Sequence, residues 1–260
     1  MKKWFSGLAV LLSVGVTVSL VGCSLTQPAA SQANYTNDNK IPFGSSVELG
    51  GAASVERQGD VKDSPYYKCP DFYNMKSTDT LTLLENFKTY QQTTEWTCGP
   101  ASALMVMEWY GKRNGADDVD LVKYRPNTNP GATDLQEMIN IFNGFGDATG
   151  QKWDLYSTYD LADPATVPET MILDTLKKGE PVIIGWDEWG GHWQVIIGYD
   201  TMGTETTADD VLVLADPYDT TDHNQDGYVI QSYERLYWNW LNSFDNTFSK
   251  NLFLVPTPAQ

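Results

Sequence analysis

The sequence predicts an α+β domain in which one helix, opening at Cys98, packs on an antiparallel β-sheet. Three observations carry that expectation. Leu104, Met107 and Tyr110, with Ala103 and Val106 beside them, recur at three- and four-residue spacing and form one apolar helical face. From Pro181 the period changes to that of strands. Pro181–Trp186 holds the apolar run Val-Ile-Ile-Gly, and His192–Asp200 alternates Trp193, Val195, Ile197 and Tyr199 with His192, Gln194, Ile196 and Gly198. Finally, 12% aromatic residues with nine Trp in 260 residues belong to a chain with a sizeable core.

The first 22 residues read as a signal peptide. Lys2 and Lys3 precede an apolar run from Leu8 to Val21 that is too short for an ordinary membrane span. Its end, Leu20-Val21-Gly22-Cys23, resembles the lipobox of bacterial lipoproteins, which implies lipidation at Cys23 and a protein anchored to the outer face of the bacterial cell membrane. From 23 to 64 the chain is rich in Ser, Gln, Asn, Gly, Ala and Pro and reads as a flexible tether. Within it Leu49-Gly50-Gly51 looks like a double-glycine cleavage site, which a Gly-rich linker also produces by chance. The folded domain is expected over 65–260.

The formal charge of −17 argues against nucleic acid or anionic lipid as a partner surface and keeps an exported protein soluble. Three cysteines are too few for a disulfide scaffold. With Cys23 assigned to lipid, Cys69 and Cys98 remain, and a disulfide between them is one reading.

The other reading is a reactive thiol. Cys98 stands at the start of its helix, followed by Gly99 and by Pro100, which is tolerated in a first turn; Gly111 and Asn114-Gly115 supply the stop. The unpaired N–H groups and dipole of a helix N-terminus favour thiolate, as does a nearby imidazolium. A nucleophile so placed needs a base and an oxyanion donor. Gln92, six residues upstream, is the candidate donor. A buried, inert cysteine is the bland alternative.

Further along, Asp134–Phe142 carries Leu135, Met138, Ile139 and Phe142 at helical spacing, with Thr133 or Asp134 as the cap, and Glu169–Lys178 is a second amphipathic helix closed by Gly179. Asp210–Asp216 supplies another strand after the polar loop Thr201–Asp209. If 192–200 and 210–216 form a symmetric hairpin, His192 falls opposite Asp216, an imidazole meeting the carboxylate that would orient it. With two histidines in the chain, His192 has few rivals as base. Asp222, Asn224 and Asp226 alternate before Gly227 like the start of a calcium loop, although the twelfth place is Tyr233 where Glu is needed; an Asx-rich turn gives the same pattern. Structural calcium is the single cofactor this pattern admits, and the chemistry requires none. Tyr233–Phe248 is an aromatic-rich helix or loop, and Asn251–Val255 a final strand.

Gln-x5-Cys-Gly-Pro-Ala, then Gly-Gly-His-Trp-Gln-Val-Ile-Ile-Gly-Tyr, then Ala-Asp-Pro, between Lys88 and Tyr218, resemble the bacteriocin-processing, double-glycine cysteine peptidases of the papain-like superfamily. The resemblance implies a papain-like fold, Cys98 as nucleophile, His192 as general base, Asp216 as its orienter, Gln92 as oxyanion donor and a peptide or protein substrate. Two departures stand out: Thr97 precedes the cysteine where transporter-fused members carry Asp, and the chain has no transporter domain. The stand-alone secreted branch is the nearer likeness. The contrasting function class is a non-catalytic, calcium-stabilised surface-binding domain on the same scaffold.

Overall fold

The computed structural model describes residues 39–55, 70–163, 167–168, 170–188, 190–220, 226–242 and 251–259. Its centre is a seven-stranded sheet. The strands are β1 (Leu81–Leu83), β2 (Trp153–Ser157), β3 (Val182–Trp186), β4 (His192–Asp200), β5 (Val211–Ala215), β6 (Tyr228–Ser232) and β7 (Leu252–Pro258). The order is β2-β7-β3-β4-β5-β6, with β1 joined separately to β4, and every pairing is antiparallel. The helices are α1 (Cys98–Trp109), α2 (Asp118–Leu121), α3 (Leu135–Thr149), α4 (Met171–Leu176) and α5 (Tyr233–Leu241). The α+β class and the helix-on-sheet arrangement are therefore as expected.

β4 explains the plan of the sheet. Its 192–196 half pairs with β3 and its 198–200 end pairs with β1, both along one edge, while β5 follows the other edge. The pairing with β5 shifts register between Ile196 and Gly198. A bulge adds one residue to one strand and sharpens the local twist. Gly198 fits because a Cβ there would stand 2.8 Å from Leu83 Cδ1 and 3.1 Å from Val213 Cβ. His192–Tyr199 is buried throughout, so the alternation seen in the sequence does not divide core from solvent.

The same holds for α1, buried without interruption from Cys98 to Met107. It was expected to show one apolar face. Packed against β4 on one side and α2 and α3 on the other, it has no wet face over that length. α3 runs to Thr149, a turn and more beyond Phe142, and in that extension Gly144 and Gly146 sit in close packing against Tyr124 and Trp153. Its start is a capping box, Asp134 with Glu137, and its end is Gly150 at φ 76°. β1, β2 and α2 were not foreseen: three to five residues give too few periods for a pattern to register.

Residues 39–55 differ from the expected tether. Ile41 N–H donates to Thr89 O (2.8 Å), Gly50 N–H to Thr93 O (2.9 Å) and Ala53 N–H to Gln92 O (3.1 Å), and Ile41, Ala52 and Ala53 are buried. This stretch straps the loop ahead of α1. The double glycine has a packing role: a Cβ on Gly50 would meet Thr93 O at 2.8 Å, and one on Gly51, whose φ is +49°, would meet Thr94 O at 2.4 Å. Gly51→Ala should therefore release the strap, lowering the unfolding temperature and opening 39–55 to limited proteolysis; a protein as stable and as resistant as wild type would remove that role.

Candidate active site

Two pieces of chain build the site: the loop and helix start around Gln92–Cys98, and the ends of β4 and β5. Cys98 is the first residue of α1, buried, and carries a free thiol. Free thiol excludes the Cys69–Cys98 disulfide; Cys69 itself lies outside the described residues. Ser102, one turn along the same face, donates its hydroxyl to the carbonyl of Trp193 at 3.1 Å. That bond locks the Cys98 face of α1 against β4 one residue beyond His192.

His192 stands at the start of β4. Its Nε2 meets Asp216 Oδ1 at 2.7 Å, and the Cys98 thiol lies close enough to act on the ring. Burial alone would lower the histidine's affinity for a proton, but the Asp216 charge and hydrogen bond, with the Cys98 thiol adding to them, outweigh it and hold the pKa well above the usual 6.5. Asp216 is the reciprocal case. Burial pushes its carboxyl upward, yet His192, the Tyr218 N–H (2.8 Å) and Gln194 Nε2 (2.7 Å) hold it below 3.8.

The contact between His192 and Asp216 does not arise from the expected register. Val195 faces Ala215 and Ile196 faces Leu214, so continuing that register sets Gln194, not His192, across from Asp216. The uneven 201–210 connection sets the offset from the symmetric pairing, and the β-bulge takes back one residue of it. Because His192 and Gln194 share one face of β4, the carboxylate reaches both. Gln194 is held in turn by Trp186 Nε1, which donates to Gln194 Oε1 at 2.8 Å. The relay Trp186–Gln194–Asp216–His192–Cys98 was legible only as far as its last three members. The two-residue spacing of His192 and Gln194 was the signal for a fourth.

Gln92 is 1% exposed. Its Nε2 donates to Thr94 O at 2.7 Å, which uses one of two amide N–H bonds, and its Oε1 has no hydrogen-bond partner among the described residues. Its backbone N–H donates to Pro217 O at 2.8 Å, and Tyr218 Oη donates to Glu95 Oε2 at 2.8 Å. The Gln92 loop and the Asp216 segment are thus bonded directly to each other.

Glu188 lies in the turn between β3 and β4, where Gly190 and Gly191 both take positive φ. Burial, with the Asp216 charge adding to it and His192 opposing, lifts its pKa to about 7. Glu188, His192 and Asp216 offer ligand atoms within 4.8 Å of one another, the one such donor cluster among the described residues. His192 and Asp216 are already committed to each other there. Of the calcium pattern, Asp222 and Asn224 lie outside the described residues, as does Cys23. Asp226 is buried, accepts the Tyr228 N–H at 2.9 Å and takes the Thr89 hydroxyl on its carbonyl at 2.6 Å, serving the turn into β6.

A thiol at a helix start, an imidazole and a buried carboxylate in series are the arrangement that cysteine peptidases use. Residues 84–244 match the Peptidase_C39 like family, and the chain belongs to that family. A search of curated proteins finds no relative. Among solved structures, the crystal structure of UfSP from C. elegans is similar with a TM-score of 0.41 at 14% identity, over 72% of this chain and 36% of that one. The chain thus spans about a third of that protein's length, and a likeness so remote carries no chemistry across.

Asp216→Asn tests the hub. Three donors surround the carboxylate, so an amide must turn its NH2 toward one of them. Alkylation of Cys98 and any hydrolysis it performs should fall by about 10²–10⁴-fold as the imidazole is mis-set. The stability the pair supplies has a defined window. The raised His192 contributes in full below 6.5 and loses it as pH rises through its folded value; the lowered Asp216 contributes in full above 3.8 and loses it as pH falls through its own. The gap in unfolding temperature between wild type and Asp216→Asn should be widest between those values and narrow on either side, as thermal scans across pH would show.

Proposed function

We propose that the chain is a papain-like thiol hydrolase that cleaves peptide bonds in a peptide or protein. The observation that carries this is the buried His192–Asp216 hydrogen bond with the Cys98 thiol acting on the same imidazole, and membership of a peptidase family supports it. In this reading the Cys98 sulfur attacks the amide carbonyl. Gln92 Nε2 and the Cys98 N–H hold the oxyanion, and His192, charged by the proton it shares with sulfur, protonates the leaving amine. Asp216 fixes the tautomer and stabilises the imidazolium. Water then attacks the thioester, with His192 as base.

Cys98→Ala should abolish turnover and the rapid phase of iodoacetamide labelling without unfolding the protein. Gln92→Ala should cost roughly 10²–10³ in kcat, the range for one oxyanion donor, while labelling continues. A wild-type thiol that labels no faster than free cysteine, unchanged by His192→Ala, would turn the reading over to a binding domain on a peptidase scaffold.

The setting we propose is the outer face of a bacterial membrane, with a lipid on Cys23 as anchor, since a diacylated N-terminus supplies the two chains that stable attachment needs. Cys23→Ser should release the protein from the membrane fraction; unchanged partitioning would contradict the anchor. Cleavage at double-glycine sites belongs to the same proposal as the substrate class suggested by the family resemblance.

A further inference from the structure

The loop that carries Gln92 is gripped by a carboxylate that the reaction scheme does not use. Asp118, the first residue of α2, is 0% exposed. Its Oδ2 accepts the Thr93 N–H at 2.8 Å and the Thr97 hydroxyl at 2.6 Å, and its Oδ1 accepts the Thr93 hydroxyl at 2.7 Å. Tyr90 Oη lies 3.4 Å from Oδ1 and donates at 3.1 Å to the neighbouring Asp117, whose carboxylate also takes the Gly44 N–H of the strap. Thr93 follows Gln92, and Thr97 precedes Cys98. One buried carboxylate therefore ties together the two residues adjoining the two candidate oxyanion donors.

Thr97 is the N-cap of α1 and makes no capping bond. Its hydroxyl donates to Asp118 and accepts the Thr94 hydroxyl at 2.9 Å. The first intrahelical bond, Ala101 N–H to Thr97 O, begins three residues past Cys98, so the Cys98 N–H, at the first helical position, has no partner within the helix. A capping side chain accepts from the second or third position, so that N–H is open to a substrate oxygen whatever Thr97 does.

We infer that Asp118 is the positioning residue of the oxyanion site: it sets the Thr93–Thr97 turn so that Gln92 Nε2 and the Cys98 N–H converge. It acts through these neighbours and touches neither sulfur nor imidazole. This rests on the thiol-hydrolase reading and adds to it a residue that no motif marks, supplied from α2, where the turn itself has threonine beside the cysteine.

Oxyanion chemistry and thiol reactivity separate the outcomes, because alkylation by iodoacetamide develops no oxyanion whereas acylation by a p-nitrophenyl ester of N-acetylglycine does. Asp118→Asn should slow release of p-nitrophenol by about 10–100-fold while the iodoacetamide rate and its pH profile stay within about twofold of wild type. Thr93→Val removes one donor without disturbing the carboxylate and should show the same selective loss more weakly, with Thr93→Ser restoring the rate. Should Asp118→Asn fail to fold, the Thr93 pair decides. Equal losses in both reactions, or a Thr93→Val protein that acylates like wild type, would overturn the inference and leave Asp118 a packing residue. A wild-type Cys98 that reacts with neither reagent would sink the hydrolase reading and this one with it.

Discussion

The Asp216 carboxylate is the constraint on which the site depends. A charge so deeply buried is tolerated only where donors replace its water. Three do so: the imidazole of His192, the backbone N–H of Tyr218 and the amide of Gln194, itself held by Trp186. Two come from β4, at its head and two residues on, and the third from the turn leaving β5. The carboxylate therefore dictates how far β5 slides along β4. In return the imidazole is held in one orientation and its affinity for a proton is raised, which favours the imidazolium that can stabilise a thiolate.

The second half of the site is organised by an equally buried carboxylate, Asp118, and the two halves are joined by backbone bonds and not left to side chains alone. Gln92 N–H to Pro217 O links the loop ahead of α1 to the residue after Asp216, and Ser102 to Trp193 O links α1 to the residue after His192. Relative motion of Cys98, His192 and Gln92 would have to break one of these. The strap of residues 39–55 closes over the same loop, so chain that reads as linker by composition contributes to the placement of Gln92.

Local sequence carried a good deal. The grouping of Cys98, His192 and Asp216 was legible because each lies inside or at the end of a strongly patterned element, and because a chain with two histidines offers few imidazoles to meet the thiol. The limits of β3, β4 and β5 could be read within about a residue, since Gly, Pro and polar turns punctuate them. Short elements were not legible: β1 and β2 depend on edges of β4 and β7 that exist only once the sheet has formed. Nor was burial on both faces of α1 and β4, because periodicity reports composition along one element and not what lies on its far side.

The sequence by itself determined the kinds of groups present and the order in which the chain delivers them: a thiol at a helix start, an imidazole at a strand start and a carboxylate at a strand end. The tertiary structure alone decided which of them meet. Register between β4 and β5 is a sum over a bulge and an irregular connection, so Asp216 faces Gln194 and reaches His192 along the same sheet face. Asp118 reaches Thr97 across 21 residues of chain, and Gly50 reaches Thr93 across 43. Such contacts follow from how packed elements fill space around a buried charge, and no local pattern encodes that.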